Sequence, residues 1–414
     1  MTATDERETT ETPELAAFRD KVRAFLAEHA PKRQKRSDDE EDTFEATVAD
    51  VPTQKAFQAA LYDAGLAGIT WPKPWGQGLT SEFQRVFNEE AAGYELPTSM
   101  YTIGLGMVIP TMLEFGTDEQ RERYVAKALR GEEVWSQLFS EPGAGSDVAS
   151  LQTKAERDGD EWIINGQKVW TTGAQLSDYG AIIARTNPDN PKHRGITMFI
   201  IDFHAPGVEI RPIKQINGGS GFNEVFFSDV RVPDSWRIGE VDDGWRCAIA
   251  MLMNERVAIG AGGGGGRGVG IKALTKLARE RGVLDDPRVR QGIADIYIRQ
   301  QIMGYIGLRI RAAVTTGKAP GPEGSIAKLA GALLSRRTSD LAISIAGAGG
   351  QAWEDPKQSR WAQLVLSTPA SRIAGGTDEV QRNIIGERVL ALPKEPQVDR
   401  DIPFKELKVG TQKG

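Results

Sequence analysis

Cysteine is almost missing from this chain: Cys247 stands alone among 414 residues. A single thiol excludes an intramolecular disulfide and any cysteine-built zinc cage. Histidine is nearly as scarce. His29, His193 and His204 are the full set, and none stands at metal-ligand spacing from another, so no protein-ligated metal is expected. Long apolar runs are missing too, since Ile196–Ile201 is among the longest and a bilayer crossing takes about 20 residues. Excess positive charge is also absent. Lys and Arg number 51 against 57 Asp and Glu, a formal net charge of −6, which argues against a dedicated nucleic-acid binder. The first residues, Met1-Thr-Ala-Thr-Asp-Glu-Arg-Glu8, lack the apolar stretch of a secretory signal, and a cytoplasmic protein is expected.

Glycine is over-represented, with 46 of 414 residues, about 11% against an ordinary level of roughly 7%. No collagen period orders these glycines, so they should sit where backbone bends tightly or approaches something closely. With 40% hydrophobic and 26% charged residues the chain can build packed cores, and its length suits about two or three domains.

Apolar residues recur at three- and four-residue steps over Pro13–Ala30, Thr53–Ala64, Thr80–Tyr94 and Asp118–Leu129, which predicts helices. The charge block from Arg33 to Asp42 between the first two reads as a solvated loop. Near Val134 the period changes to two. Glu161–Thr171 reads as two alternating runs around Asn165-Gly166, a hairpin signal. Further strands are expected at Tyr179–Arg185, Gly195–Asp202, Val208–Lys214 and Glu224–Val232. After Pro233 the helical period returns, over Ile249–Ile259, Ile271–Arg281, Arg288–Ala313 and Ile326–Ile345. The expected α+β division is an all-helical domain 1–132, a middle β domain 133–236 (an antiparallel sandwich or barrel), a helical bundle 237–396 and an extended tail 397–414.

Two stretches carry chemistry. In Gln137-Leu-Phe-Ser140-Glu-Pro-Gly-Ala-Gly145-Ser146-Asp147, Gly143 and Gly145 permit close approach, and Ser140 and Ser146 offer hydroxyls. Such a loop suits a phosphate or the polar rim of a heterocycle, and equally a tight domain connector. In Lys168-Val-Trp170-Thr-Thr172-Gly173, Trp170 offers a flat wall to a planar ring if it faces the domain junction, and Thr172 would share that face. A core tryptophan in a small sheet is the plainer alternative.

Together, Ser140–Asp147, Asn165-Gly-Gln-Lys-Val-Trp-Thr-Thr172 and Arg372-Ile-Ala-Gly-Gly-Thr377-Asp-Glu-Val-Gln381 strongly resemble the acyl-CoA dehydrogenases, over about residues 13 to 396. The resemblance implies an acyl-CoA dehydrogenase fold, with an N-terminal helical domain, a middle β domain and a C-terminal helical bundle, and FAD as cofactor. It places Gln137, Phe139, Ser140, Ser146, Trp170, Thr171, Thr172, Thr377 and Glu379 at FAD. Arg281 and Gln291 are assigned to its pyrophosphate and adenine half, reached from a neighbouring subunit, and Gly347 and Gly349 to a Gly-rich loop that also serves that half. Ser146, Arg256, Gly375 and Gly376 would contact the acyl-CoA substrate. The segment after Arg281 departs from the family by lacking its Phe-Gly pair.

The implied reaction removes a proton from the carbon beside a thioester carbonyl while hydride leaves the next carbon. A desolvated carboxylate suits the base, and hydrogen bonds to the carbonyl oxygen must hold the growing enolate-like charge. The resemblance gives that task to a backbone N–H near Gly375 and a hydroxyl of FAD. Many members carry the base just before Gly-Thr of the C-terminal motif, where Gly375 stands here. Isovaleryl- and long-chain-type members carry it on an earlier helix before an arginine, which Glu255-Arg256 matches. Glu255 is therefore the expected base; an ordinary ion pair or solvated helix residue is the alternative. The product would be a trans-2-enoyl-CoA, as in fatty acid β-oxidation. Electrons would pass to an electron-transfer flavoprotein, and the enzyme would be a homotetramer or dimer. Subunit status in a heteromer, or oxidase or monooxygenase chemistry on the same fold, are the alternatives. Small residues at Gly104, Gly106 and Gly375 suggest room for a branched or bulky acyl group. The stretch Gly260–Gly270, which includes the run Gly262–Gly266, formally contains G-x-G-x-x-G, but a helical pattern on both sides excludes a Rossmann turn.

Overall fold

The computed structural model describes residues 11–33, 50–261, 270–315, 322–351, 356–397 and 399–408. The first helical layer comprises α1 (Pro13–His29), α2 (Val51–Asp63), α3 (Ser81–Ala91), α4 (Ile109–Phe115) and α5 (Asp118–Arg130), with a π-helical turn at Gly104–Val108 leading into α4. Its apolar stripes converge on one core in which Phe18, Val22, Leu26, Phe57, Leu61, Val86 and Leu129 are buried. A capping box starts α5, with Thr117 Oγ1 accepting from Gln120 N at 3.2 Å. The Gln120 side-chain amide also donates to the carbonyls of Ser235 and Arg237 at 2.8 Å, so one residue both caps this helix and ties it to the sheet domain.

Eight strands follow: β1 (Trp135–Leu138), β2 (Lys154–Asp158), β3 (Glu161–Thr172), β4 (Tyr179–Arg185), β5 (Ile196–Asp202), β6 (Val208–Pro212), β7 (Phe222–Pro233) and β8 (Arg237–Ile238). They form one sheet in the order β6-β7-β3-β2-β4-β5-β8, with β1 beside β4. Pairing is antiparallel except for β1 with β4 and the Lys154–Arg185 pair of β2 with β4, which are parallel. Strands β4 and β5 are buried on both faces. Ile182, Ala184, Phe199 and Ile201 join Trp162, Val225 and Phe227 in one core. Ala181, Ile183, Met198 and Ile200 pack with Met107, Ile109, Met112 and Tyr124 of the helical layer. Double-sided burial explains why these strands read as unbroken apolar runs.

The hairpin expected at Asn165-Gly166 is corrected. Both residues lie inside the continuous strand β3, and the turn into that strand is at Gly159, with φ +62°. The register of β3 against β7 shifts between Ile164 and Gly166, with the extra residue on β7, where Asp229 has φ +50°, so the Asn-Gly pair lies opposite a bulge in its partner strand. Asn165 exchanges side-chain bonds with Asp229 (2.8 and 2.9 Å), and a Cβ on Gly166 would lie 2.5 Å from Thr153 Oγ1. Long-range partners thus claim a dipeptide that locally favours a turn.

The C-terminal helices are α6 (Gly244–Ala261), α7 (Ile271–Glu280), α8 (Pro287–Thr315), α9 (Glu323–Ala346), α10 (Pro356–Ser371) and α11 (Asp378–Ile384). Leu274, Leu277, Ile296, Ala342, Ile345 and Trp361 form the bundle core. Helix α6 belongs instead with the helical layer and sheet, where Cys247, Ala248 and Met251 are buried. Residues 399–408 fold against the loop between β4 and β5. No described helix is long and apolar enough to cross a membrane.

Candidate functional site

The sequence-selected residues gather into three groups. The first lies where β1 and the loop after it meet the end of β3. Val169 N donates to Ser140 O at 2.9 Å, and Ser136 Oγ to Thr172 O at 2.8 Å, so the Ser140 loop runs alongside Trp170. A bulge in β3 itself, between Lys168 and Thr171, breaks the alternation there. Trp170 takes a left-handed backbone, φ +62°, a strained conformation for a bulky residue. Instead of entering the core, its ring stays 57% exposed and meets Phe222 nearly edge-on at 5.8 Å. Thr172 is exposed as well, whereas Thr171 is buried.

Lys168, which sequence reasoning missed, supports this corner. Its side chain is fully buried, and Nζ donates to Phe139 O at 3.0 Å and to Glu141 Oε1 at 2.8 Å. The Glu141 carboxylate also accepts from Gln152 N (2.6 Å) and Thr153 N (2.9 Å). Burial pushes the Glu141 carboxyl up, but the Lys168 charge and these hydrogen bonds outweigh it and hold the group below its ordinary range. A lysine in a strand normally signals a solvated face. The available clue was its position, two residues before a tryptophan and four after the strand's buried Ile164.

The second group is the turn before α11. Gly375 and Gly376 have φ +65° and +88°. Gln381 Nε2 donates to Gly375 O at 2.8 Å, Lys328 Nζ to Gly376 O at 2.5 Å, and Thr377 Oγ1 caps α11 by accepting from Val380 N at 3.2 Å. Arg372 Nε donates to the buried Asp378 carboxylate at 2.6 Å, while Glu379 is exposed beside Arg382. A cavity of about 240 Å³ opens here, lined by Arg336, Arg372, Thr377 and Glu379 among others.

In the third group the guanidinium of Arg281 lies over Gly349, where a Cβ would stand 3.0 Å from Nη2. Gly347 has φ +64°, and Gln291 is exposed on α8. Ser146 is exposed on the loop beyond Ser140. The side chains of Glu255 and Arg256 and the run 262–266 lie outside the described residues; the Glu255 backbone belongs to α6, whose Asn254 Nδ2 reaches Thr111 Oγ1 on α4 at 3.4 Å. Gly104 is small for another reason than acyl-group room, because a Cβ there would lie 3.1 Å from Trp135 Cβ. Among the described residues no cluster suits a metal ion.

These features fit a flavin dinucleotide. Gln137 Nε2 on β1 and Thr171 Oγ1, next after Trp170 on β3, are buried without a partner, and Asp378 Oδ1 and Gln381 Oε1 are buried without one in the Thr377 turn. Gly349 lets the Arg281 guanidinium lie close against the backbone, and a guanidinium is the kind of group that pairs with a pyrophosphate.

Family models match in consecutive segments: acyl-CoA dehydrogenase N-terminal domain at residues 12–132, middle domain at 136–230 and C-terminal domain at 242–390. The acyl-CoA dehydrogenase FadE34 of Mycobacterium tuberculosis is 39% identical over 84% of this chain, which spans 48% of that relative's length. A solved structure described as the Tcur3481-Tcur3483 steroid ACAD is 30% identical with a TM-score of 0.74, covering 93% of this chain and 99% of that one. The ChsE4-ChsE5 complex from Mycobacterium tuberculosis is 28% identical with a TM-score of 0.70, covering 94% and 100%.

Proposed function

The chain belongs to the acyl-CoA dehydrogenase family of FAD-dependent enzymes, and on that premise we propose that it desaturates the α,β bond of an acyl-CoA thioester to a trans-2-enoyl-CoA. The observation that carries this reading is the exposed, backbone-strained Trp170, together with the orphaned donors Gln137 Nε2 on β1 and Thr171 Oγ1 on β3. Residues Gln137, Phe139, Ser140 and Trp170–Thr172 would hold the ring of FAD, Thr377 and Glu379 its middle, and Arg281, Gln291, Gly347 and Gly349 its pyrophosphate and adenine half. Bound FAD supplies a hydride acceptor. The chain's own part is to bind the thioester, orient it and move the α-proton. Glu255 takes that proton on its carboxylate, and Gly375, with no side chain, leaves the base's other family position empty of any acceptor. A backbone N–H of the Gly375-Gly376 turn polarises the thioester oxygen. Gln381 and Lys328, which hold both glycine carbonyls, fix the peptide planes that aim it. Ser146 and Arg256 contact the substrate.

The acyl group is bulky and ring-bearing in this reading, which the steroid ACAD relative supports. Electron-transfer flavoprotein takes the electrons onward. The enzyme works as a homodimer or homotetramer; the ChsE4-ChsE5 relative, a complex of two named chains, favours a heteromer as the second reading. The test is an anaerobic titration of the flavin-loaded protein with straight-chain, branched and steroid-side-chain acyl-CoAs. Bleaching of the flavin absorbance by the bulky thioesters is expected, and no bleaching by any thioester would overturn the reading.

A further inference from the structure

The tail 399–408 is built into the sheet domain beside the Ser146 loop. Phe404 N donates to Asn190 O at 2.9 Å and Lys405 N to Pro188 O at 3.0 Å, while Pro403 bridges Pro191. Lys405 Nζ pairs with Asp189 at 2.6 Å. The Phe404 ring, itself buried, covers the guanidinium of Arg185 at 3.7 Å from centroid to Cζ. Arg185 is 4% exposed, and its described bonds go to backbone carbonyls: Nη2 donates to Ala149 O (2.6 Å) and Leu151 O (3.5 Å), Nη1 to Lys192 O (2.7 Å). Lys192 in turn bridges Asp399 of the tail at 3.6 Å and Asp147 at 3.0 Å. Asp147 directly follows Ser146. A buried guanidinium is costly unless hydrogen-bonded and shielded, and here the tail supplies the shield.

We propose that the C-terminal segment Asp399–Leu407 and Arg185 form a clamp that positions the Ser146–Leu151 edge for the thioester, with Phe404 as its key and Arg185 as a positioning residue. The inference rests on the reading of Ser146 as a substrate contact. Without the ring, water reaches Arg185 and competes for the carbonyls of Ala149 and Lys192, and the edge loosens. The flavin corner meets this edge only beyond Leu151, where Glu141 holds Gln152 N and Thr153 N, and with the Lys168–Glu141 pair in place it stays intact.

The test compares Phe404→Ala and Phe404→Tyr with the wild-type holoenzyme in two measurements. Backbone hydrogen–deuterium exchange over residues 147–151 should quicken in Phe404→Ala and stay at the wild-type level in Phe404→Tyr, which keeps an aromatic face. Unchanged exchange in Phe404→Ala overturns the clamp whatever the substrate proves to be. In steady state with a thioester that bleaches the wild-type flavin, Phe404→Ala should raise KM about tenfold, equivalent to about 1.4 kcal/mol, with kcat and flavin content unchanged and Phe404→Tyr restoring KM. Unchanged KM, or a parallel fall in kcat and flavin content, overturns the coupling to the substrate. Failure of every thioester to bleach the wild type would sink the functional reading alone, because the exchange measurement still decides the clamp.

Discussion

Two carboxylates bear opposite burdens in this chain. Glu141 is structural: it is buried, and Lys168 and two backbone N–H groups take three of its roughly four lone-pair sites and hold it ionised. Removing its partner in Lys168→Met leaves a buried carboxylate without its cation, a loss of about 3–5 kcal/mol. Urea unfolding should show it, together with reduced FAD retention because Phe139 O loses its donor beside the flavin corner. Wild-type stability and flavin content in this variant would show that the pair does not brace the site. The pH dependence has a definite sign. The folded-state pKa of Glu141 is depressed, so its stabilisation is complete above the ordinary carboxylate range, about 4.3, and is lost as pH falls through the lower folded value. Flavin release on acidification should therefore steepen below about pH 4 in the wild type and flatten in Glu141→Gln, as followed by flavin fluorescence. Glu255 is the reactive one in the proposed function. Glu255→Gln should keep the yellow holoenzyme but abolish thioester-driven bleaching, and full bleaching in that variant would remove Glu255 from the role of base.

At the scale of one element, β3 shows how much a single strand can decide. Opposite the bulge of β7 it sets Gly166 against Thr153, and its own bulge turns Trp170 out of the core. Gly166→Ala would set a Cβ 2.5 Å from Thr153 Oγ1 at φ +152°, a cost of about 1–3 kcal/mol readable as a lowered Tm. A Tm equal to the wild type would mean that the Thr153 strand yields freely. The same strand marks what was legible in advance. Strands β4 and β5 and helices α1, α2, α3 and α5 followed from the apolar pattern, because burial on one or both faces leaves a direct trace in residue order, whereas β3 was expected as a hairpin and α4 was not expected. Both bulges were illegible, since Asn165 answers to Asp229 and Gly166 to Thr153, partners far along the chain. Lys168 escaped for the same reason: its carboxylate lies 27 residues earlier, and only the fold brings the two together. Helix α10, with Pro369 inside it, carried too broken a pattern to stand out.

Over the whole molecule, the clearest unspent surface is a stripe on α8. Tyr297, Ile298, Ile302, Tyr305 and Leu308 are each more than half exposed at helical spacing, and Tyr297 also lines an apolar cavity of about 340 Å³ with Ile271, Leu284 and Ile293. A contiguous apolar band of this kind on an isolated chain calls for a partner, and a second copy is the simplest source of matching shape. The assignment of Arg281 and Gln291 to a neighbouring subunit's FAD makes the same demand from the site's side, because α8 carries both Gln291 and the stripe. Replacing Ile302 and Tyr305 together by Glu puts two charges into that band. Sedimentation should then shift from oligomer to monomer, and FAD should dissociate more readily in step, since half of its contacts would come from the lost neighbour. Monomer formation with undiminished FAD affinity would separate the two ideas, leaving the stripe as an interface and returning Arg281 and Gln291 to the FAD of their own chain. A wild-type chain already monomeric when expressed alone, with an exposed stripe, would instead favour the heteromeric reading, in which a different chain covers α8.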